Sequence, residues 1–166
     1  MTASLTWLVR HIEELVCSLA FAAIVVAVSA NVVLRFLTGA SLVATEEIAY
    51  LGFVYSVFFA VTILYRRGAM IAVDFLVEYL PQRVKYAVNL FNCVVLVVAT
   101  AYFTYLSYKL AAGGWIRRTA FLDIPYFYVN LAPTLSFALM TLYSLYFLFR
   151  LLSGRDIEQA NLEDKM

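Results

Sequence analysis

The amino-acid sequence predicts an all-α integral membrane protein. Four transmembrane helices are expected, with a short amphipathic in-plane helix between the second and third. Two observations carry this. The chain of 166 residues is 64% hydrophobic and 14% charged, about half the charge that a soluble domain spreads over its surface. Its charges also leave four long gaps: 15–34, 48–65, 86–108 and 124–149 contain no Lys, Arg, Asp or Glu. A helix rising about 1.5 Å per residue needs about 20 residues to cross a hydrocarbon core of ~30 Å. Backbone groups in lipid must pair within their own segment or within a closed barrel. Barrel strands alternate polar and apolar residues, and runs such as SLAFAAIVVAV and CVVLVVATAYF do not.

The first span is expected at about 15–37. The leading MTASLTWLVRHIEE has neither a basic start nor a small-residue cleavage site, so the oily run after it reads as a retained helix rather than a signal peptide. Arg35 ends this span, and Glu46 and Glu47 begin the second, at about 46–65. The short GASLVAT connection brings the three together as an ion pair fixing the first hairpin, a pairing of small energetic value at an interface. Arg66 and Arg67 close the second span, where they can reach lipid headgroups, and Gly68 permits a change of direction.

The next segment, 69–80, reads AMIAVDFLVEYL, too short to span. On a helix Asp74 and Glu78 stack on one face, with Val73, Leu76, Val77 and Leu80 opposite. That is the pattern of a helix lying in the interface plane, ended by Pro81; a short connector packed against a partner protein is the alternative. Arg66, Arg67, Gly68, Asp74 and Glu78 thus form one candidate interfacial anchor. The third and fourth spans follow at about 84–110 and 124–150. Between them GGWIRRTAFLD places Trp115, Arg117 and Arg118 in a basic loop, either simply solvated or a docking surface for an acidic soluble partner. Residues 1–152 read as one four-helix domain and 153–166 as a tail.

Eight Lys and Arg residues lie on the side of the two termini and four on the other. The excess places both termini in the cytoplasm. Trp115, Tyr126 and Tyr128 at one end, and Tyr65, Tyr79 and Tyr86 at the other, suit aromatic belts.

Little in the chain suggests chemistry. His11 is the single histidine, too little imidazole for a haem or zinc site. Cys17 and Cys93 sit in oily runs as small apolar filler. No histidine or carboxylate cluster at depth, no Ser/His pair and no glycine-rich phosphate loop is present. No catalytic, substrate-binding or metal residue is therefore assigned, and no cofactor or nucleic-acid partner. Asn31, Asn92, Asn130, Thr100, Thr104, Ser136 and Thr141 lie within the spans and are expected to hydrogen-bond between helices. Pro133 is expected to kink the fourth helix.

The stretch from TEEIAYLGFVYSVFFAV to LYRRGAMIAVDFLVEYLP resembles the small membrane (Q-type) subunit of tripartite ATP-independent periplasmic transporters. The resemblance rests on Glu46–Glu47, Arg66–Arg67–Gly68, Val73–Asp74 and Leu80–Pro81. Arg35 in VLRF, and DIPYFYVNLAPTLSFALM with Pro125 and Pro133, extend it over roughly residues 31–150. Met70 and Ala72 stand where relatives often carry a more polar, basic sequence. The resemblance implies a multi-pass protein of the bacterial inner membrane. Its partners would be a large permease (M-type) subunit, a periplasmic substrate-binding protein and membrane lipids. The permease would carry the substrate and sodium sites, importing organic acids of the sialic acid or C4-dicarboxylate class by sodium-coupled symport. The small subunit would be a scaffold that binds no substrate.

The main alternative is a self-sufficient small multidrug-type transporter acting as a homodimer. It needs an acidic residue well inside the first span, and 15–34 is uncharged. A redox-enzyme anchor would need histidines within the helices. An assembly or chaperone-like membrane protein is disfavoured by the family resemblance alone.

Overall fold

The computed structural model describes residues 2–39, 43–67 and 82–153. Among them the chain is helical except for the connection before the last helix. The helices are α1 (Thr2–Thr38), α2 (Val43–Arg66), α3 (Gln82–Gly113) and α4 (Tyr126–Leu152). Each contains a stretch long and apolar enough to cross a membrane: Ile12–Thr38, Val43–Arg66, Tyr86–Gly113 and Tyr126–Leu152. The expected in-plane helix, with Gly68, Asp74 and Glu78, lies outside the described residues, as does the tail from 154 on. Pro133 is buried within α4, which runs on past it. At the next residue the Thr134 hydroxyl donates to the Asn130 carbonyl, one turn back, at 2.8 Å.

Among the described residues the helices pack as an open row in the order α1–α2–α4–α3, with no comparable contact between α1 and α3. A closed bundle would bring the two ends of that order together; here α1 and α3 remain the free edges. Small residues make the first contact. A Cβ placed on Gly52 of α2 would stand 2.8 Å from Ile24 Cγ1 and 2.9 Å from the Ala20 carbonyl oxygen of α1. Nearby, the Cys17 thiol points at the Ser56 carbonyl at 3.6 Å. Gly52 and Ser56 are four apart, the small-xxx-small spacing that lets two membrane helices approach at backbone distance.

Aromatic and hydroxyl groups make the other contacts. Phe137 of α4 meets Phe58 of α2 edge-on at 5.9 Å and stacks with Phe103 of α3 at 5.3 Å. The Tyr55 hydroxyl donates to the Tyr128 carbonyl at 2.8 Å, and Tyr65 meets the Ser144 hydroxyl at 2.5 Å. Tyr65 is thereby buried in the α2–α4 seam, which corrects its expected place in an interfacial aromatic belt.

The polar residues of the spans divide. Thr104 and Thr141 pair across α3 and α4 at 3.2 Å, and the Asn130 amide donates to the Leu110 carbonyl at 3.3 Å. Thr100 instead turns back to the Leu96 carbonyl of its own helix at 2.8 Å. Ser136 is buried with its hydroxyl unpaired among the described residues.

Candidate functional site

Two polar fasteners hold the ends of this row. At the end bearing the termini, α1 places Glu13 and Glu14 side by side just before its charge-free run. The last turn of α2 brings Arg66 against them. Arg66 Nε lies 3.6 Å from Glu13 Oε2, and Arg66 Nη2 lies 3.4 Å from Glu14 Oε1. Arg67 Nη2 reaches the same Glu14 oxygen at 3.3 Å. From α4, the Tyr143 hydroxyl donates to Glu13 Oε1 at 2.6 Å. Three helices therefore meet on one carboxylate, which is 1% exposed, while the Arg66 side chain is 10% exposed.

At 3.6 Å the Glu13–Arg66 contact is an ion pair without a hydrogen bond, and neither Glu13 Oε2 nor Arg66 Nε has a hydrogen-bond partner among the described residues. Lipid and protein interior both screen charge poorly, so the attraction is large, as is the penalty for leaving either charge alone. Arg66 is thus committed inward. Arg67, with 58% of its side chain exposed, is the arginine of the pair that remains open to its surroundings.

The opposite end is fastened by Glu47, in the second turn of α2. Its two carboxylate oxygens accept the backbone N–H groups of Phe121 and Leu122 at 2.8 and 2.9 Å. Those donors are free because the α3–α4 connection doubles back on itself. The Thr119 N–H donates to the Ile124 carbonyl at 2.9 Å, and the Tyr126 N–H donates to the Arg117 carbonyl at 2.9 Å. Asp123 turns the chain with a φ of 53°, a left-handed conformation that Asp tolerates better than most residues. The expectation that Glu47 pairs with Arg35 is therefore corrected: its oxygens serve the far connection, because two N–H donors held at a turn match the two oxygens of a carboxylate. Arg35 is exposed in the last turn of α1, and Glu46 stands beside Glu47 in the first turn of α2.

Trp115 stacks on Phe127 with centroids 4.5 Å apart. Gly114 allows this, since a Cβ there would stand 2.6 Å from the Phe127 nitrogen. Arg118 pairs with Asp123 at 2.7 Å, both exposed, so the bond shapes the loop more than it stabilises it. Arg117 is exposed, and Ile116 and Phe121 project as apolar points at 92% and 64% exposure. The connection is a rigid knob pinned to α2 by Glu47.

Replacing Glu47 with alanine should free that knob. Hydrogen exchange of the Phe121 and Leu122 amides is expected to accelerate about fivefold to tenfold, because each loses a charge-assisted bond. Amides in the middle of α4 should keep their protection. Unchanged exchange at Phe121 and Leu122 would show that Glu47 does not hold the loop.

Sequence reading passed over Glu13, Glu14 and Tyr143. Two carboxylates directly before an uncharged run, and two arginines directly after another, were the available signal: both pairs fall at the same end of adjacent helices. Among the described residues no three of His, Cys, Asp and Glu gather to hold a metal ion.

In comparison with known proteins, a family model described as tripartite ATP-independent periplasmic transporters, DctQ component, matches residues 24–154. No curated protein matches the chain.

Proposed function

The chain belongs to the DctQ family, the small permease component of tripartite ATP-independent periplasmic transporters, and on that premise we propose that it is the scaffold subunit of such a transporter. It belongs to a family of transporter components rather than of enzymes. The single observation that carries the reading is the family match over residues 24–154. The open row supports it: two edge helices expose their apolar sides, and the charges of the described helices lie toward the ends. Such a slab adds membrane-embedded bulk to a larger partner without offering a path for a polar substrate.

In this reading the large permease subunit carries the substrate and sodium sites, and imports an organic acid of the sialic acid or C4-dicarboxylate class by sodium-coupled symport. The small subunit stays fixed in the bacterial inner membrane with both termini in the cytoplasm. The pinned knob of Trp115, Arg117 and Arg118 then faces the periplasm, where its two arginines suit an acidic surface on the substrate-binding protein. On the cytoplasmic side Arg67 and the segment with Gly68, Asp74 and Glu78 lie against lipid headgroups, Arg66 having been drawn into the protein.

The test is gentle detergent purification of the tagged chain from its native membrane, followed by mass spectrometry. A much larger polytopic protein should be recovered in a stoichiometric ratio. Recovery of the chain alone, as a stable homo-oligomer, would overturn the scaffold reading in favour of the self-sufficient small transporter.

A further inference from the structure

The two free edges of the helix row are chemically unlike. The outward side of α1 presents Leu15, Leu19, Val26 and Val33, a surface that hydrocarbon chains cover well. Two of its polar groups bond within the chain. Asn31 is engaged, and the Ser18 hydroxyl turns back to the Leu15 carbonyl at 3.1 Å. Ser29 is exposed and makes no hydrogen bond among the described residues, but one short hydroxyl asks for less than an amide with two donors and an acceptor.

The α3 edge differs. Asn92 is half-buried and Tyr102 is 60% exposed. Neither the amide nor the hydroxyl makes a hydrogen bond among the described residues. At about 100° per residue the two fall on one side of α3, about 80° apart. Both lie deep. Asn92 is seven residues inside Lys85 and Tyr102 seven inside Lys109, about 10 Å from the nearest charge in each case. Tyrosine ordinarily sits at the headgroup level, and lipid chains offer an amide nothing to bond with. An asparagine has two donors and an acceptor, more than back-bonding to its own helix can satisfy.

We propose that this side of α3 is the face that receives the large permease subunit, with Asn92 and Tyr102 hydrogen-bonding to one of its membrane-spanning helices. The assignment rests on the family reading and adds to it which edge of the scaffold is covered. The depth of the two groups requires an occupant that itself crosses the bilayer. Their spacing requires that occupant to carry hydrogen-bonding side chains at two levels about 15 Å apart along α3. The α1 edge is left to lipid.

The experiment places a photo-crosslinking residue at Val95, between Asn92 and Tyr102 on the outward side of α3, and separately at Val26 of α1. The tagged chain is made with its natural partners and irradiated in the native membrane. An adduct with the large subunit is expected from Val95 and none from Val26. In the same purification Asn92→Leu should lower the recovered large subunit about threefold, the scale of a single hydrogen bond between membrane helices, while Val26→Leu should not lower it.

Where the large subunit co-purifies but the adduct forms from Val26 and not from Val95, or forms from neither, the face is wrong and the scaffold reading stands. An adduct from Val95 to a second copy of this chain would likewise overturn the assignment, making α3 a homodimer edge. Absence of the large subunit from every purification overturns the family-based reading, and this assignment with it.

Discussion

Replacing Arg66 with alanine is expected to destabilise the protein by about 3 to 5 kcal/mol, the usual consequence of stranding one member of a buried ion pair. Without the guanidinium, the Glu13 carboxylate keeps, among the described residues, only the Tyr143 hydroxyl as a partner, in a place where it is 1% exposed. Glu14 is less affected, because it is part-exposed and retains Arg67 at 3.3 Å.

Removing both charges together should relieve most of this penalty. The double change Glu13→Leu with Arg66→Met exchanges a poorly bonded pair for apolar contact, and should recover most of the loss. Thermal unfolding in detergent, followed by loss of monodisperse protein, measures both variants. Equal damage from the single and double variants would mean that the charges act through separate partners rather than through each other. The helix row should be affected as a whole, because the pair and Tyr143 tie α1, α2 and α4 at one end.

The second large effect is expected at Gly52. Gly52→Val should separate α1 from α2, since even the first added carbon would lie 2.8 Å from Ile24 Cγ1 and 2.9 Å from the Ala20 carbonyl oxygen. The isoleucine can rotate. The carbonyl belongs to the α1 backbone and cannot, so the helices must move apart, losing contact along the seam. Overpacking of this kind costs about 1 to 3 kcal/mol, and the backbone clash puts valine toward the upper end. Gly113→Ala is the control: nothing lies within 4 Å of a Cβ at that helix end, and the exchange should be neutral or slightly stabilising through helix propensity. Unfolding of the two variants by the same thermal assay separates the cases, and a Gly52→Val protein as stable as the parent would show that the α1–α2 contact is not tight.

The two sites were unequally readable in advance. The spacing of Gly52 and Ser56 is a small-xxx-small pattern within an apolar run, so a close helix approach could be found from sequence, though not that α1 is the helix approached. Glu13 was harder. It stands just outside the nearest readable signal, the uncharged run beginning at residue 15, and looked like part of a polar leader. Glu47 was assigned to the nearest cation in the chain, Arg35. Its carboxylate instead reaches the backbone of Phe121 and Leu122, more than 70 residues away. Sequence proximity was a poor guide because the row brings the second turn of α2 beside the connection that precedes α4.

The sequence by itself determined that there are four membrane-length helices and which family they make up. Those follow from hydropathy, because only a helix buries its own backbone polar groups in lipid. Tertiary structure alone decided the order of the row, which helices form its edges, and which polar side chains find partners. Hydropathy is silent on these points for a physical reason: a leucine is as well placed against lipid as against another helix. What sorts the helices are a few close approaches and hydrogen bonds, at Gly52, Thr104, Tyr65 and Glu13. Asn92 and Asn130 look alike as letters. Only their places in the row show that Asn130 bonds to a neighbouring helix while Asn92 makes no hydrogen bond among the described residues.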